Sequence, residues 1–330
     1  MTLVDFWAGA LALSLLLYVL LDGFDLGVGI LFPFARSEGR RRQMLAAIAP
    51  VWDGNETWLV VAASILFGAF PAVYALLLSA FYLPLLVMLA GLILRGVAFE
   101  FRYKSVRLRP IWDAGFVAGS YAAAFIQGTA VGAIVEGLSV HNQRYVGSAF
   151  AWASPFALLC GVGLCIGYAL IGACWLAGKG SNDVRTFSRQ GLPILMGALL
   201  LFLAAAFVHA AVLDLAVIHK WSERPVLLLF PAMGLAAFAI MSVGLRRGAD
   251  RLLFPSGAII FLAAFATLAL SFLPYIVPFS VTIAEAAAPE TSLRFLFWGA
   301  GLFVLPLTLI YTAAVYFIFR GRVQTERDYL

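Results

Sequence analysis

Apolar residues run through this chain in blocks long enough to cross a bilayer, and short polar segments separate them. The blocks cover about 6–34, 50–70, 72–100, 111–136, 147–177, 190–218, 225–245, 251–275 and 294–319. Each reaches the roughly 20 residues that a spanning helix needs, so the pattern predicts nine transmembrane helices and an all-α polytopic membrane protein. An odd number of spans places the termini on opposite sides. The connecting segments stay within about twenty residues, which leaves no room for a soluble domain. The first block lacks the basic flank and small-residue cleavage site of a secretory signal, and is expected to remain as a span.

Composition strengthens this picture: of 330 residues, 63% are hydrophobic and only 12% charged, too greasy for a soluble domain. The 22 Lys and Arg are distributed unevenly. Seventeen fall in the loops after predicted spans 1, 3, 5 and 7 and in the C-terminal tail, from Arg36, Arg40, Arg41 and Arg42 through Arg102 and Arg109 to Arg320, Arg322 and Arg327. Only Arg144, Lys220, Arg224 and Arg294 lie on the other side, and Arg95 stays inside a span. Positive charge marks the cytoplasmic side, so the N-terminus is expected outside, in the periplasm, and the C-terminus in the cytoplasm. The net charge of +5 does not point to nucleic acid, because the basic residues occupy short loops.

Against this background six ionisable residues stand out: Asp22, Asp25, Asp53, Glu56, Arg95 and Glu100, in the strings LLDGFDLGVG, PVWDGNETWL and LRGVAFEFR. An acid near the middle of a membrane helix costs about 2.5–3.5 kcal/mol, so such groups are paired, protonated or functional. Asp22, Asp25 and Gly29 share one face of the first helix, and Gly23, Gly27 and Gly29 allow a neighbouring backbone close approach. The second helix is expected to start at Pro50, with Asp53 and Glu56 near its positive N-terminal end and Trp52 and Trp58 beside them. The predicted orientation puts all six in the cytoplasmic half. In one reading Asp22 or Asp25 pairs with Arg95, and the second helix's acids are solvated caps. In the other, the acids form a protonatable chain from the cytoplasm into the bilayer, since five of them face one arginine.

Other positions add little chemistry. Cys160, Cys165 and Cys174 point in different directions around one helix and cannot share a disulfide or a metal. His141 and His219 fall at the outer surface, leaving His209 alone within a span; one intramembrane histidine cannot support a multi-haem chain. In LPYIVPFSVTIAEAAAPETS, Pro274 and Pro278 imply a broken helix end, with Ser280, Thr282 and Glu285 lining or capping an outer loop. The Trp-Asp of residues 52–53 recurs at Trp112–Asp113, a match too short to count as a repeat. The residues alone leave open a stand-alone secondary transporter with Asp22, Asp25 and Arg95 at its midplane, or a structural scaffold. Neither repeats nor matched broken helices favour the transporter.

The strings LDGFDLGVG, APVWDGNETWL and RGVAFEFR, with the later IWDAG and FLPYIVPFSVTI, resemble subunit II of the cytochrome bd-type quinol oxidases. The compact length is similar to the family's cyanide-insensitive branch. The resemblance implies two four-helix bundles, about 1–136 and 147–275, plus a peripheral helix at about 294–319. It implies a heterodimer in the bacterial inner membrane, in which subunit I carries haems b and d and oxidises quinol. Subunit II would carry no haem, support assembly, hold a structural quinone and contribute a cytoplasmic proton path. A small single-helix accessory subunit also fits that family. By the same resemblance Asp53, with Trp52 beside it, and Asp25 match the acids of the path. Asp22 and Glu56 are further candidates, Arg95 matches the family's helix-3 arginine, and Glu100 joins it as an ion-pair position.

Overall fold

The computed structural model describes residues 2–322, so Arg327 lies outside the described residues. The first helix, α1 (Leu3–Leu31), starts at a reciprocal cap: Asp5 N donates to Thr2 Oγ1 at 3.1 Å, and Thr2 N donates to Asp5 Oδ2 at 2.8 Å. A tight turn at Phe32–Phe34 ends it. A short polar helix, α2 (Glu38–Ala46), capped by Ser37, then lies among the basic residues.

Here the structure corrects two predicted spans. α3 (Trp52–Ala69) begins after Pro50 rather than on it, with Val51 as its N-cap. The block at 72–100 is not one helix: α4 (Pro71–Ala80) bends away from α3 by 119°, and α5 (Tyr82–Lys104) follows beyond Phe81. The break at Phe70 falls between two predicted spans, whereas hydropathy runs on across the one at Phe81. The local signal is Pro71, which opens α4 because its ring suits a first turn and cannot continue the turn before it.

α6 (Arg109–Glu136) ends at Gly137 in a positive-φ conformation, and a hairpin of β1 (Val140–His141) and β2 (Arg144–Tyr145) follows, pairing Val140 with Tyr145. α7 (Pro155–Lys179) starts at the Ser154 cap rather than near 147, since the apolar residues before it lie in turns. α8 (Asn182–Val212) begins earlier than predicted and takes Arg185 and Arg189 into its first turns. The end of the predicted 190–218 block is a separate short helix, α9 (Ala216–Glu223). α10 (Leu229–Arg247) and α11 (Leu253–Phe272) form an adjacent pair around left-handed Gly248. The proline-rich stretch folds into β3 (Tyr275–Val277), β4 (Val281–Thr282) and α12 (Ile283–Ala286), with Thr282 and Glu285 as a reciprocal cap. The last block divides into α13 (Glu290–Leu296), a π turn at Phe297–Gly301 and α14 (Val304–Ile318).

Eight helices among the described residues are long and apolar enough to cross a membrane, or nine if α3 and α4 count as one bent span. α1 is the centre of the packing and touches α3, α6 and α7. Its second half is buried throughout, from Asp22 to Leu31. Gly27 makes this possible: a Cβ there would sit 1.8 Å from the Tyr168 carbonyl oxygen of α7, so only glycine admits that approach. α14, by contrast, has no buried residue.

Candidate functional site

α1, α3 and α5 bring four of the six singled-out residues together. Arg95 of α5 is 2% exposed, and its Nη2 donates to Asp22 Oδ1 at 2.7 Å. The same nitrogen lies 3.6 Å from Glu56 Oε2 on α3. Asp25 takes a different partner: its Oδ2 accepts from Asn55 Nδ2 at 2.7 Å. Asn55 also donates to the Leu21 carbonyl at 3.2 Å, and its Oδ1 accepts from Tyr316 OH at 2.9 Å. Among the described residues nothing hydrogen-bonds Asp22 Oδ2, Asp25 Oδ1 or Arg95 Nη1, although all three are buried. Asp22 and Glu56 thus share one guanidinium, Asp25 is held by Asn55 beside them, and among the described residues one oxygen each of Asp22 and Asp25 has no hydrogen-bond partner inside the bundle.

Asp53 sits apart from this cluster, in the first turn of α3 with an exposed side chain. Among the described residues no hydrogen bond or ion pair reaches its carboxylate. Its position one turn before Glu56 places it at the mouth of the buried group, where the N-terminal helix dipole favours an anion. Trp52 packs against Phe99, ring centroids 5.1 Å apart, and against Gly96. Glu100 does not join Arg95. Five residues further along α5, it is turned about 140° around the helix and faces outward.

Sequence reasoning missed several polar members. Asn55 and Tyr316 bind each other across 261 positions, which no local pattern announces. A second chain runs beside the cluster: Tyr168 OH donates to Gln127 Oε1, and Gln127 Nε2 donates to Tyr18 OH, both at 2.8 Å. Tyr18 lies one turn before Asp22, and that i, i+4 spacing was the available signal.

A second charged group gathers where α2 meets α5 and α6. Arg102, also 2% exposed, donates to Glu38 at 2.8 Å and to Asp113 over a shorter distance. Arg41 reaches Asp113 at 3.0 Å, and Arg42 and Arg109 reach Glu38 at 3.1 and 3.2 Å. Burial pushes the Glu38 carboxyl up, but hydrogen bonds from Arg102 and Arg42, with the charges of Arg102 and Arg109, outweigh it and hold it below its ordinary 4.5. Arg40 clamps Asp183 at 2.6 and 2.9 Å, and Arg185 and Arg189 close on Asp250. Here every acid is matched or outnumbered by arginine.

His209 stacks on Phe156 with centroids 5.5 Å apart, and His219 pairs with Asp214 at 2.9 Å. Among the described residues no three His, Cys, Asp or Glu side chains lie close enough to hold a metal ion.

Comparison with known proteins agrees with the motifs. The family model described as cytochrome bd terminal oxidase subunit II matches residues 3–319. A probable cytochrome oxidase subunit 2 of Haemophilus influenzae is 32% identical, over 90% of this chain and 85% of that protein. The cytochrome bd-I ubiquinol oxidase subunit 2 of Escherichia coli K12 is 30% identical, over 97% and 95% respectively. In fold, the chain superposes on the bd oxidase structure from Geobacillus thermodenitrificans with a TM-score of 0.76 at 18% identity, covering 97% of this chain and all of that one.

Proposed function

The chain belongs to the cytochrome bd terminal oxidase subunit II family, and from that premise we propose that it is the haem-free second subunit of a bacterial quinol:oxygen oxidoreductase. Its partner is the haem-bearing subunit I, where quinol is oxidised and oxygen reduced. This subunit supports assembly of that partner and leads protons to it from the cytoplasm. Membership of the family takes the place of the stand-alone transporter reading. In this reading the spans fall into two groups of four, α1, α3 with α4, α5 and α6, then α7, α8, α10 and α11, with α13 and α14 as the peripheral helix. The arginine-rich end faces the cytoplasm.

The observation that carries the proton role is a cluster of three carboxyls, two of them buried and one half-buried, around a single guanidinium, with an exposed acid one turn away. Asp53 takes a proton from water at the arginine-rich end. Glu56, one turn deeper, receives it beside Arg95. Arg95 holds Asp22 and Glu56 in place as protons arrive and leave, and the free oxygens, Asp22 Oδ2 and Asp25 Oδ1, are where a proton can rest. Asn55 fixes the other oxygen of Asp25, so its rotamer does not drift as the acid changes state. Trp52 and Phe99 close the entrance to lipid. The exposed apolar surfaces of α8 and α14 suit lipid and isoprenoid tails.

Asp53→Asn tests this. In purified, assembled oxidase, turnover should fall roughly tenfold or more, as for loss of a proton-transferring group, while haem content stays near that of the native complex. Unchanged turnover per haem would remove the proton role from Asp53. Joint loss of haem and complex would make Asp53 a structural residue instead.

A further inference from the structure

α14 lies on the outside of the bundle, yet one of its side chains connects through Asn55 to an acid at the centre. Trp58 Nε1 donates to Thr312 Oγ1 at 3.3 Å, and Tyr316 OH donates to Asn55 Oδ1 at 2.9 Å. Only the second contact continues inward, through Asn55 Nδ2 to Asp25 Oδ2 at 2.7 Å. The Tyr316 ring rests near Trp175 and Phe24, with centroids 6.0 and 6.4 Å away.

An asparagine amide can meet a carboxyl with either end. Its nitrogen only donates and its oxygen only accepts, so the two orientations suit opposite partners: the nitrogen a carboxylate, the oxygen a carboxylic acid. Here the Tyr316 hydroxyl occupies Oδ1, which turns Nδ2 toward Asp25. The other anchor, the Leu21 carbonyl at 3.2 Å, is longer and lies inside α1, where the helix already bonds it. Tyr316 therefore joins the Leu21 carbonyl in setting which end of Asn55 faces Asp25, and it is the side-chain contact of the two.

We propose that Tyr316 is a positioning residue for Asp25: through Asn55 it keeps an amide N–H aimed at the carboxylate, so the C-terminal helix tunes the proton exchange of an acid on the first helix. This rests on reading Asp25 as a proton carrier. The charged groups close enough to act on Asp25 are Asp22 on its own helix, Glu56 on α3 and Arg95 on α5. α14 contributes the uncharged Tyr316, and α7 and α11 contribute the aromatic Trp175 and Phe254 that surround Phe24.

Tyr316→Phe removes only the hydroxyl and keeps the ring. Asn55 Oδ1 is then left without a donor, and the amide recovers one by turning that oxygen to Asp25, a bond that requires the acid to hold its proton. Oxygen consumption by the assembled oxidase, followed across pH, should show the alkaline limb of Tyr316→Phe moved upward by about one pH unit, a tenfold change in proton concentration. Thr312→Val, which cuts the other side-chain contact of α14, should leave the limb in place, and both variants should keep their haem. An unmoved limb in Tyr316→Phe, with Asp25→Asn inactive, overturns the proposal and leaves the proton path standing. Loss of haem from Tyr316→Phe alone also overturns it, making Tyr316 a strut. Full turnover in Asp25→Asn removes the path, and the proposal with it.

Discussion

The chain carries the dipeptide Trp-Asp twice near the start of a helix, and the two aspartates meet opposite surroundings. Asp113, 9% exposed at the start of α6, is held by Arg41 and Arg102. Asp53, at the start of α3, is exposed and has no partner among the described residues. The same contrast separates the regions around them. At the α2 junction Glu38 and Asp113 meet Arg41, Arg42, Arg102 and Arg109. Inside the bundle Asp22 and Glu56 share Arg95, and Asp25 beside them has only the neutral Asn55 amide among the described residues. An acid saturated by arginines cannot easily change charge and works as a fastener. An acid short of partners can accept and release protons.

Substitution of the two buried arginines should break this comparison most sharply. Arg95→Leu strips Asp22 and Glu56 of their shared cation, and breaking such a buried pair costs about 3–5 kcal/mol. Little assembled, haem-containing complex should be recovered, as measured by absorbance of the purified membranes. Normal recovery would mean that Asp22 rests as a neutral acid. Arg102→Leu should cost less, about 1–3 kcal/mol, because Arg41 still reaches Asp113 and Arg42 and Arg109 still reach Glu38. A lower thermal midpoint with haem retained is the expected result.

The smallest effect concerns pH. Glu38 is held below its ordinary 4.5 by its arginines, so its contribution to stability is complete above that value and fades as pH falls through the lowered one. Thermal midpoints recorded between neutral pH and pH about 3 should therefore decline less steeply in Glu38→Gln than in the native chain. Parallel curves would show that Glu38 plays no part in the acid limb.

Much of this was legible in the sequence, and the remainder has identifiable physical reasons. Long apolar runs marked nine spans where the described residues hold eight, or nine if α3 and α4 count as one, and the cost of burying charge pointed to Asp22 or Asp25 as the partner of Arg95 without choosing between them. The break at Phe70 falls between the second and third predicted spans, where Pro71 marks it, whereas the bend at Phe81 stayed hidden because hydropathy does not change there. The late start of α7 was hidden because turns can be as apolar as helices. Asn55 and Tyr316 are ordinary residues in ordinary helices, and their meeting depends on how α14 packs. Glu100 resembled a partner for Arg95 by proximity in sequence, whereas helical geometry turns it away. Arg102, counted as one of many loop charges, proved as buried as Arg95, because α2 folds back over it with Glu38.

The contrast between the two aspartates can be measured directly as proton uptake. Assembled oxidase in vesicles, oriented with the arginine-rich end accessible, is supplied with quinol and oxygen while proton disappearance on that side is followed. Asp53→Asn should slow uptake per haem roughly tenfold or more, and Asp113→Asn should leave uptake per haem at the native rate. Equal rates in the two variants would contradict the assignment of Asp53 as the proton entrance.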